Sequence, residues 1–295
     1  MSHAPRHLPP PGTLVLDHVS HFVPELAAAR RALAAIGFRP SARSLQRTPD
    51  GPAGTANVCA MLREGYLEFL APVAATPNAE HVRAAMARHR GVHLVAFGTP
   101  SVEEERLRLA HAGFEPRPVI RLARGTPTGT ACILVVRVSE KRMPEGRIQY
   151  VEHATPQVLW RPELVDHPNS VTGLAAVFVV ARDCAAAAAR WARFAALLPR
   201  RLGRFVELPT GRGQVLLSSR SRLRALLGAA PPAPAVAGYA LSCARPERFA
   251  RMLEQSGCAV RALGPSVYSA ALPPALGGAC LFGTKSALRS LWEEA

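Results

Sequence analysis

The chain repeats itself, and that constrains its fold more than anything else in the sequence. "LDHVSHFV" followed by "LAAIGFRP" (residues 16–40) reads as a strand, a helix ending at Gly37 and a second extended segment; "GVHLVAFG" followed by "LAHAGFEP" (91–116) restates that order. His93 falls on His18, Phe97 on Phe22, and Gly113-Phe114 on Gly37-Phe38. Each copy then runs through extended sequence punctuated by Arg and Pro, and ends on a glutamate strand, "YLEFLAP" (66–72) and "YVEHATP" (150–156). His18 precedes Glu68 by 50 positions and His93 precedes Glu152 by 59. The turn-rich stretches "RGTPTGT" and "SEKRMPEG" accommodate the difference as loop growth. The unit is therefore β-α-β-β-β, present twice by residue 156, with a short helix over 78–90 joining the copies.

Past "WRPELVDHPNS" (160–170), which reads as a boundary, the pattern returns in "GLAAVFVVARDCAAAAARWARFAALLP" and "GYALSCARPERFARMLEQSGCAV". These later copies keep the architecture and lose the side chains: Ala175 and Ala240 fall where the histidines were, Leu217 and Leu281 where the glutamates were. The expected layout is a disordered Pro-rich start (1–13), a first domain over 14–160, a linker over 161–172, and a degenerate second domain over 173–295. The fold class is α+β, built as four tandem βαβββ modules.

Alternate side chains of a strand share a face. Leu16, His18, Ser20 and Phe22 then lie on one side, with His21 opposite; Tyr66 pairs with Glu68 and Tyr150 with Glu152, while His153 points away. Two imidazoles and two carboxylates, His18, Glu68, His93 and Glu152, are the repeat-equivalent set, and such a donor mix suits a divalent metal with positions left for water or substrate. Tyr66 and Tyr150 would line the same face as substrate-binding hydroxyls. Cys59 and Cys132 sit on equivalent hairpin strands and read as small apolar fillers. The rival reading is that both glutamates line an empty polar cavity.

The "LDH" opening, the "GFRP" and "GFEP" helix exits and the "YLEFLAP" strand resemble the vicinal oxygen chelate superfamily, and within it the glyoxalase-like proteins. The resemblance is good over 14–157 and architectural over 170–285. It implies paired βαβββ modules curling into a cup, with His18, Glu68, His93 and Glu152 as ligands to Fe, Mn, Ni or Zn. It also implies lyase or isomerase chemistry on a small substrate with adjacent oxygens, with Glu152 or Glu68 as the catalytic base. Relatives often carry Gln or His near position 152; three ligands would then resemble the facial triad of Fe(II) extradiol dioxygenases. Other members sequester small molecules without metal chemistry, so a metal-free binding protein is the competing class.

Composition narrows the partners. The net charge of +15 comes almost wholly from arginine, with lysine only at Lys141 and Lys285, in a chain rich in Ala and Pro. That is the mark of GC-rich coding rather than of a nucleic-acid surface, and few aromatics accompany the arginines. No apolar run reaches the roughly 18 residues of a membrane span. The six cysteines are scattered singly and read as free thiols. A cytoplasmic protein with a small-molecule substrate, no nucleic-acid or membrane partner, and a homodimer as the conceivable assembly is the expectation.

Overall fold

The computed structural model describes residues 9, 10 and 12–294, so most of the expected Pro-rich start lies outside the described residues. The first half runs β1 (Val15–Phe22), α1 (Leu26–Ala35), β2 (Ser44–Thr48), β3 (Gly51–Met61), β4 (Tyr66–Pro72), α2 (Pro77–Arg88), β5 (Gly91–Gly98), α3 (Val102–His111), β6 (Ile120–Thr126), β7 (Gly129–Arg137), β8 (Arg147–His153), then two single-turn helices, α4 (Pro156–Leu159) and α5 (Pro162–Val165). The second half runs β9 (Val171–Val180), α6 (Cys184–Ala195), β10 (Arg200–Leu202), β11 (Phe205–Pro209), β12 (Gln214–Ser218), α7 (Arg220–Leu227), β13 (Ala235–Cys243), α8 (Pro246–Gln255), β14 (Val260–Gly264), β15 (Val267–Ala271), β16 (Ala279–Gly283) and α9 (Lys285–Glu294).

The strands make a mixed α+β fold with two eight-stranded sheets. The first closes into a barrel, β1-β4-β3-β2-β6-β7-β8-β5; the second stays open, in the order β10-β11-β12-β9-β13-β16-β15-β14. The halves of the barrel join along the β1–β5 ladder and, on the opposite side, where Arg47 of β2 pairs with Ala123 of β6. No described helix is long and apolar enough to cross a membrane, and all six cysteines are free.

The helices form where local chemistry lets them start. Ser101 accepts from the Glu104 amide ahead of α3, whose first turn carries Glu103, Glu104 and Glu105 and whose last turn carries Arg108 and His111. Asp183 accepts from the Ala185 and Ala186 amides and opens the alanine-rich α6. Helices α1, α3, α6 and α8 pack into one apolar layer with the backs of both sheets; Val19, Phe97 and Tyr150 from the barrel meet Val177, Trp191, Phe194 and Phe249 there. The sheets thus share that layer, and each has a second face turned away from it, toward the barrel interior in the first sheet and toward α7 and α9 in the second.

Those two faces are filled differently. The open sheet presents Ala176, Phe178, Leu216, Ala240 and Leu281, and α7 and α9 lay Leu223, Leu227, Leu288 and Trp292 onto them. That cup is an apolar core plugged by its own helices, within a residue of the positions anticipated as degenerate. The barrel instead carries its polar residues inward.

Candidate functional site

The polar lining of the barrel follows from two irregularities in one ladder. Strands β1 and β5 pair antiparallel, but the register skips Asp17 on β1 and His93 on β5, each a bulged residue. The bulge at Asp17 turns Leu16 outward, onto the helix layer, and sets His18, Ser20 and Phe22 facing in. Its position is fixed by Gly65, whose φ of +83° suits glycine and whose missing Cβ would stand 2.6 Å from the Asp17 carbonyl oxygen.

Within this ladder His18 lies opposite Ala96 and Ser20 opposite Leu94, so the β5 counterpart of His18 is Leu94. The parallel partners extend the comparison. Ser20 pairs with Glu68 on β4 and Ala96 pairs with Gln149 on β8, so the counterpart of Glu68 is Gln149. His93 corresponds instead to the bulged Asp17. A one-residue slip in a strand exchanges faces, and this is where the sequence-level equivalence of the four candidate ligands departs from the structure.

His18 and Glu68 do come together, with Tyr66 beside them. Nε2 of His18 is 4.0 Å from Glu68 Oε2, and the imidazole stacks on the Tyr66 ring at 4.2 Å between centroids. Glu68 is 6% exposed and its Oε1 accepts from Asn57 Nδ2 at 2.5 Å and from Gln46 Nε2 at 3.4 Å. Burial, with Asp17 and Glu68 nearby, raises the Tyr66 hydroxyl well above its ordinary pKa, so it remains a protonated phenol.

The other three expected site residues lie elsewhere. Glu152 faces the helix layer, where its Oε2 accepts from the Val102 amide at 3.0 Å and caps the start of α3. Tyr150 shares that face; its hydroxyl donates to the Phe194 carbonyl at 2.8 Å and its ring stacks on Phe194. His93 stands at the α2 end of the barrel with Nε2 3.0 Å from the His89 carbonyl oxygen. Burial and the neighbouring His89 lower its pKa to about 3, which keeps it neutral. No three His, Cys, Asp or Glu side chains among the described residues group as metal ligands.

Two residues outside the expected set join this cluster, Asp17 and His153. Asp17, with no exposed surface, accepts from His18 Nδ1 at 2.7 Å, and His153 Nε2 lies 3.2 Å from each of its oxygens. Burial alone would push this carboxyl up, but the charge and hydrogen bonds of the two imidazoles outweigh it and hold Asp17 far below the carboxylate range. An ionised carboxylate only accepts, so Nδ1 of His18 donates to Asp17 and Nε2 is turned toward the cup and Glu68. His153 is inward because β8 turns Arg147, Gln149, Val151 and His153 into the barrel; the alternation is as expected, but the face opposite Tyr150 and Glu152 is the inner one.

Arg124 completes the upper wall, with Nη1 3.2 Å from Cys59 Sγ. Trp160 closes the lid, its ring edge-on to His153 at 4.8 Å and its indole N–H donating to the Leu62 carbonyl. A cavity of about 50 Å³ opens here between Arg124, Cys59, Met61, Leu159 and Leu164. A larger crevice of about 600 Å³ separates the end of α2 from the second sheet; small apolar side chains such as Ala237 and Ala270 line most of it, and His89 and Arg90 stand among them.

Fold and cup together are those of the vicinal oxygen chelate class. The chain belongs to the Glyoxalase-like domain family, whose model matches residues 16–195. No curated protein matches the sequence. Among solved structures, a hypothetical protein from Staphylococcus aureus superposes with a TM-score of 0.66 at 11% identity, covering 92% of this chain and 99% of its own. A mutant of 4-hydroxymandelate synthase from Streptomyces coelicolor gives 0.55 at 14% identity over 96% of this chain and 98% of its own. The Mn(II)-bound glyoxalase from Novosphingobium aromaticivorans gives 0.57 at 12% identity over 92% and 82%. At these identities the likeness is one of fold.

A divalent cation, which the family resemblance implies, can be tested against the donors present. His18 and Glu68 offer two, 4.0 Å apart; the counterpart positions hold the apolar Leu94 and the neutral Gln149. The four-residue set does not assemble.

Proposed function

We propose that the N-terminal cup binds a small oxygen-rich molecule and moves a proton on it through the Asp17–His18 dyad and Glu68, without a four-ligand metal. One observation carries this reading: Asp17 accepts from Nδ1 of His18 and so turns Nε2 toward the Glu68 carboxylate, 4.0 Å away inside a closed barrel. A buried carboxylate that orients an imidazole is the arrangement of a general base. The ligand's acidic C–H or O–H would sit between His18 and Glu68, with Asn57 and Gln46 keeping Glu68 in place and Trp160 limiting access of water. Tyr66, stacked on His18, holds the ring plane. Metal-dependent lyase, isomerase or dioxygenase chemistry on Fe, Mn, Ni or Zn, as the resemblance implies, is the reading this proposal competes with.

The test combines elemental analysis of the purified chain, before and after incubation with Mn, Fe(II), Ni or Zn, with deuterium uptake from D2O by dicarbonyls, catechols and hydroxy-acyl thioesters. Exchange that falls by about a hundredfold in His18→Gln and Glu68→Gln, with no stoichiometric metal, supports it. Stoichiometric metal that disappears in His18→Ala overturns it in favour of metal catalysis. Binding without exchange would leave a sequestering protein.

A further inference from the structure

The barrel holds more positive charge than its own residues neutralise. Arg137 ends β7 and Arg147 begins β8, both on the inward faces of their strands, at the end of the barrel that α2 closes. Arg147 is 7% exposed and makes no side-chain hydrogen bond among the described residues; its guanidinium lies over the Phe22 ring, 5.5 Å from the centroid. Arg137, half-buried, donates Nε to Gln149 Oε1 at 2.9 Å, and its two Nη groups have no hydrogen-bond partner among the described residues. Neither is in an ion pair among the described residues.

Two carboxylates act on Arg147 from a distance. Glu140 is held by Arg88 and His81, each at 3.2 Å, and Glu68 is held by Asn57. Arg117, exposed on the neighbouring loop, adds further repulsion. Burial, then mutual repulsion, brings the Arg147 guanidinium down to about 9, and burial brings Arg137 down to about 10. A cation held inside the fold without an ion-pair partner is destabilising, and an anion from outside the chain is one source of the missing counter-charge.

We propose that Arg137 and Arg147 form an anion subsite that takes the carboxylate of a small organic monoacid, holding the rest of that molecule toward Glu68 and His18. Arg124, Arg137 and Arg147 stand against the carboxylates of Glu68 and Asp17, an excess of guanidinium over carboxylate that one organic anion offsets. Guanidinium forks match a carboxylate in two parallel hydrogen bonds. Phe22, Leu70 and Leu94 on the same inner wall give the ligand's body apolar contact. This deepens the proposed function and rests on it for the direction in which the ligand points. It also explains why Gln149 replaces a second carboxylate: a neutral amide orients Arg137 without cancelling the charge the ligand must meet.

The experiment measures thermal shift and calorimetric binding of lactate, pyruvate and mandelate, each against its neutral amide and against chloride at equal ionic strength. The acids are expected to raise the melting temperature and the amides to leave it unchanged. Arg147→Met and Arg137→Met should each weaken acid binding by about tenfold or more. Arg147→Met should also melt higher than the parent in anion-free buffer, since it removes an unpaired buried charge. Arg147→Lys, which keeps the charge and loses the fork, is the folded control and should bind at an intermediate level. Acids that bind equally to the parent and both Met variants would overturn the subsite, as would an Arg147→Met variant that melts lower while no acid stabilises the parent. Failure of the proton-transfer reading shows itself separately, as metal lost in His18→Ala or exchange unaffected in His18→Gln, and neither result depends on the arginines.

Discussion

Glu152 separates two accounts of this molecule, and changing it to alanine tests them directly. In the structure its carboxylate caps α3 through the Val102 amide at 3.0 Å, beside the Ser101 cap, and no part of it faces the cup. Removing such a cap costs about 1–2 kcal/mol, summing the lost hydrogen bond and the carboxylate's interaction with the helix dipole. With an unfolding entropy of about 2.1 cal/mol/K per residue, a chain of this length loses about 2–3 °C in melting temperature for that change. Glu152→Gln keeps an acceptor and loses the charge, so about half the loss is expected. Differential scanning calorimetry reads both, and titration with ligand or metal reads the cup in the same samples. A Glu152→Ala protein that melts like the parent but has lost bound metal or ligand would refute the assignment of this residue to the helix, and with it the register on which the whole site is built.

Further outcomes follow from other residues. Asp17 has a carboxyl lowered well beneath its unfolded value near 4, so its contribution to stability is complete above that pH and is lost as pH falls below it; Asp17→Asn should flatten the acid limb of a stability–pH curve. Gly65→Ala, which drives a Cβ toward the Asp17 carbonyl oxygen, should lower stability and weaken ligand binding together, because the bulge that aims His18 shifts. Trp292→Ala removes a side chain that is 4% exposed and packed on Phe178 and Phe205. Its expected cost is about 3–5 kcal/mol, or roughly 5–8 °C, with acid binding in the N-terminal cup unchanged.

The repeat in the sequence carried the α+β architecture, because hydrophobic alternation and glycine-ended helices survive wherever a module must bury its face. It also carried His18, Glu68 and Tyr66, which stand where unbroken alternation in β4 and the strand after the Asp17 bulge put them. The second half of the site was not legible in the same way. Alternation fixes a face only along an uninterrupted strand, and the bulge at His93 removed it from the pattern. "YLEFLAP" and "YVEHATP" match as strings, yet the ladder pairs β8 so that Gln149 answers Glu68, three residues ahead of the matching glutamate. Bulges and inter-strand offsets are decided by partners distant in sequence, which is also why Asp17 and His153, far apart in the chain, gave no sign of meeting.

Two cups that share one apolar back cannot be inherited separately. Deleting residues 173–295 would strip cover from Val19, Phe97 and Tyr150 and present an oily wall to water, whatever became of the chemistry in front of it. The half whose lining is mostly apolar is therefore held in place by a constraint unrelated to ligands: it is the other face of the wall on which the N-terminal cup is built. Its interior was free to fill with Leu288 and Trp292 because only its back was under obligation, and the two halves should melt as one transition.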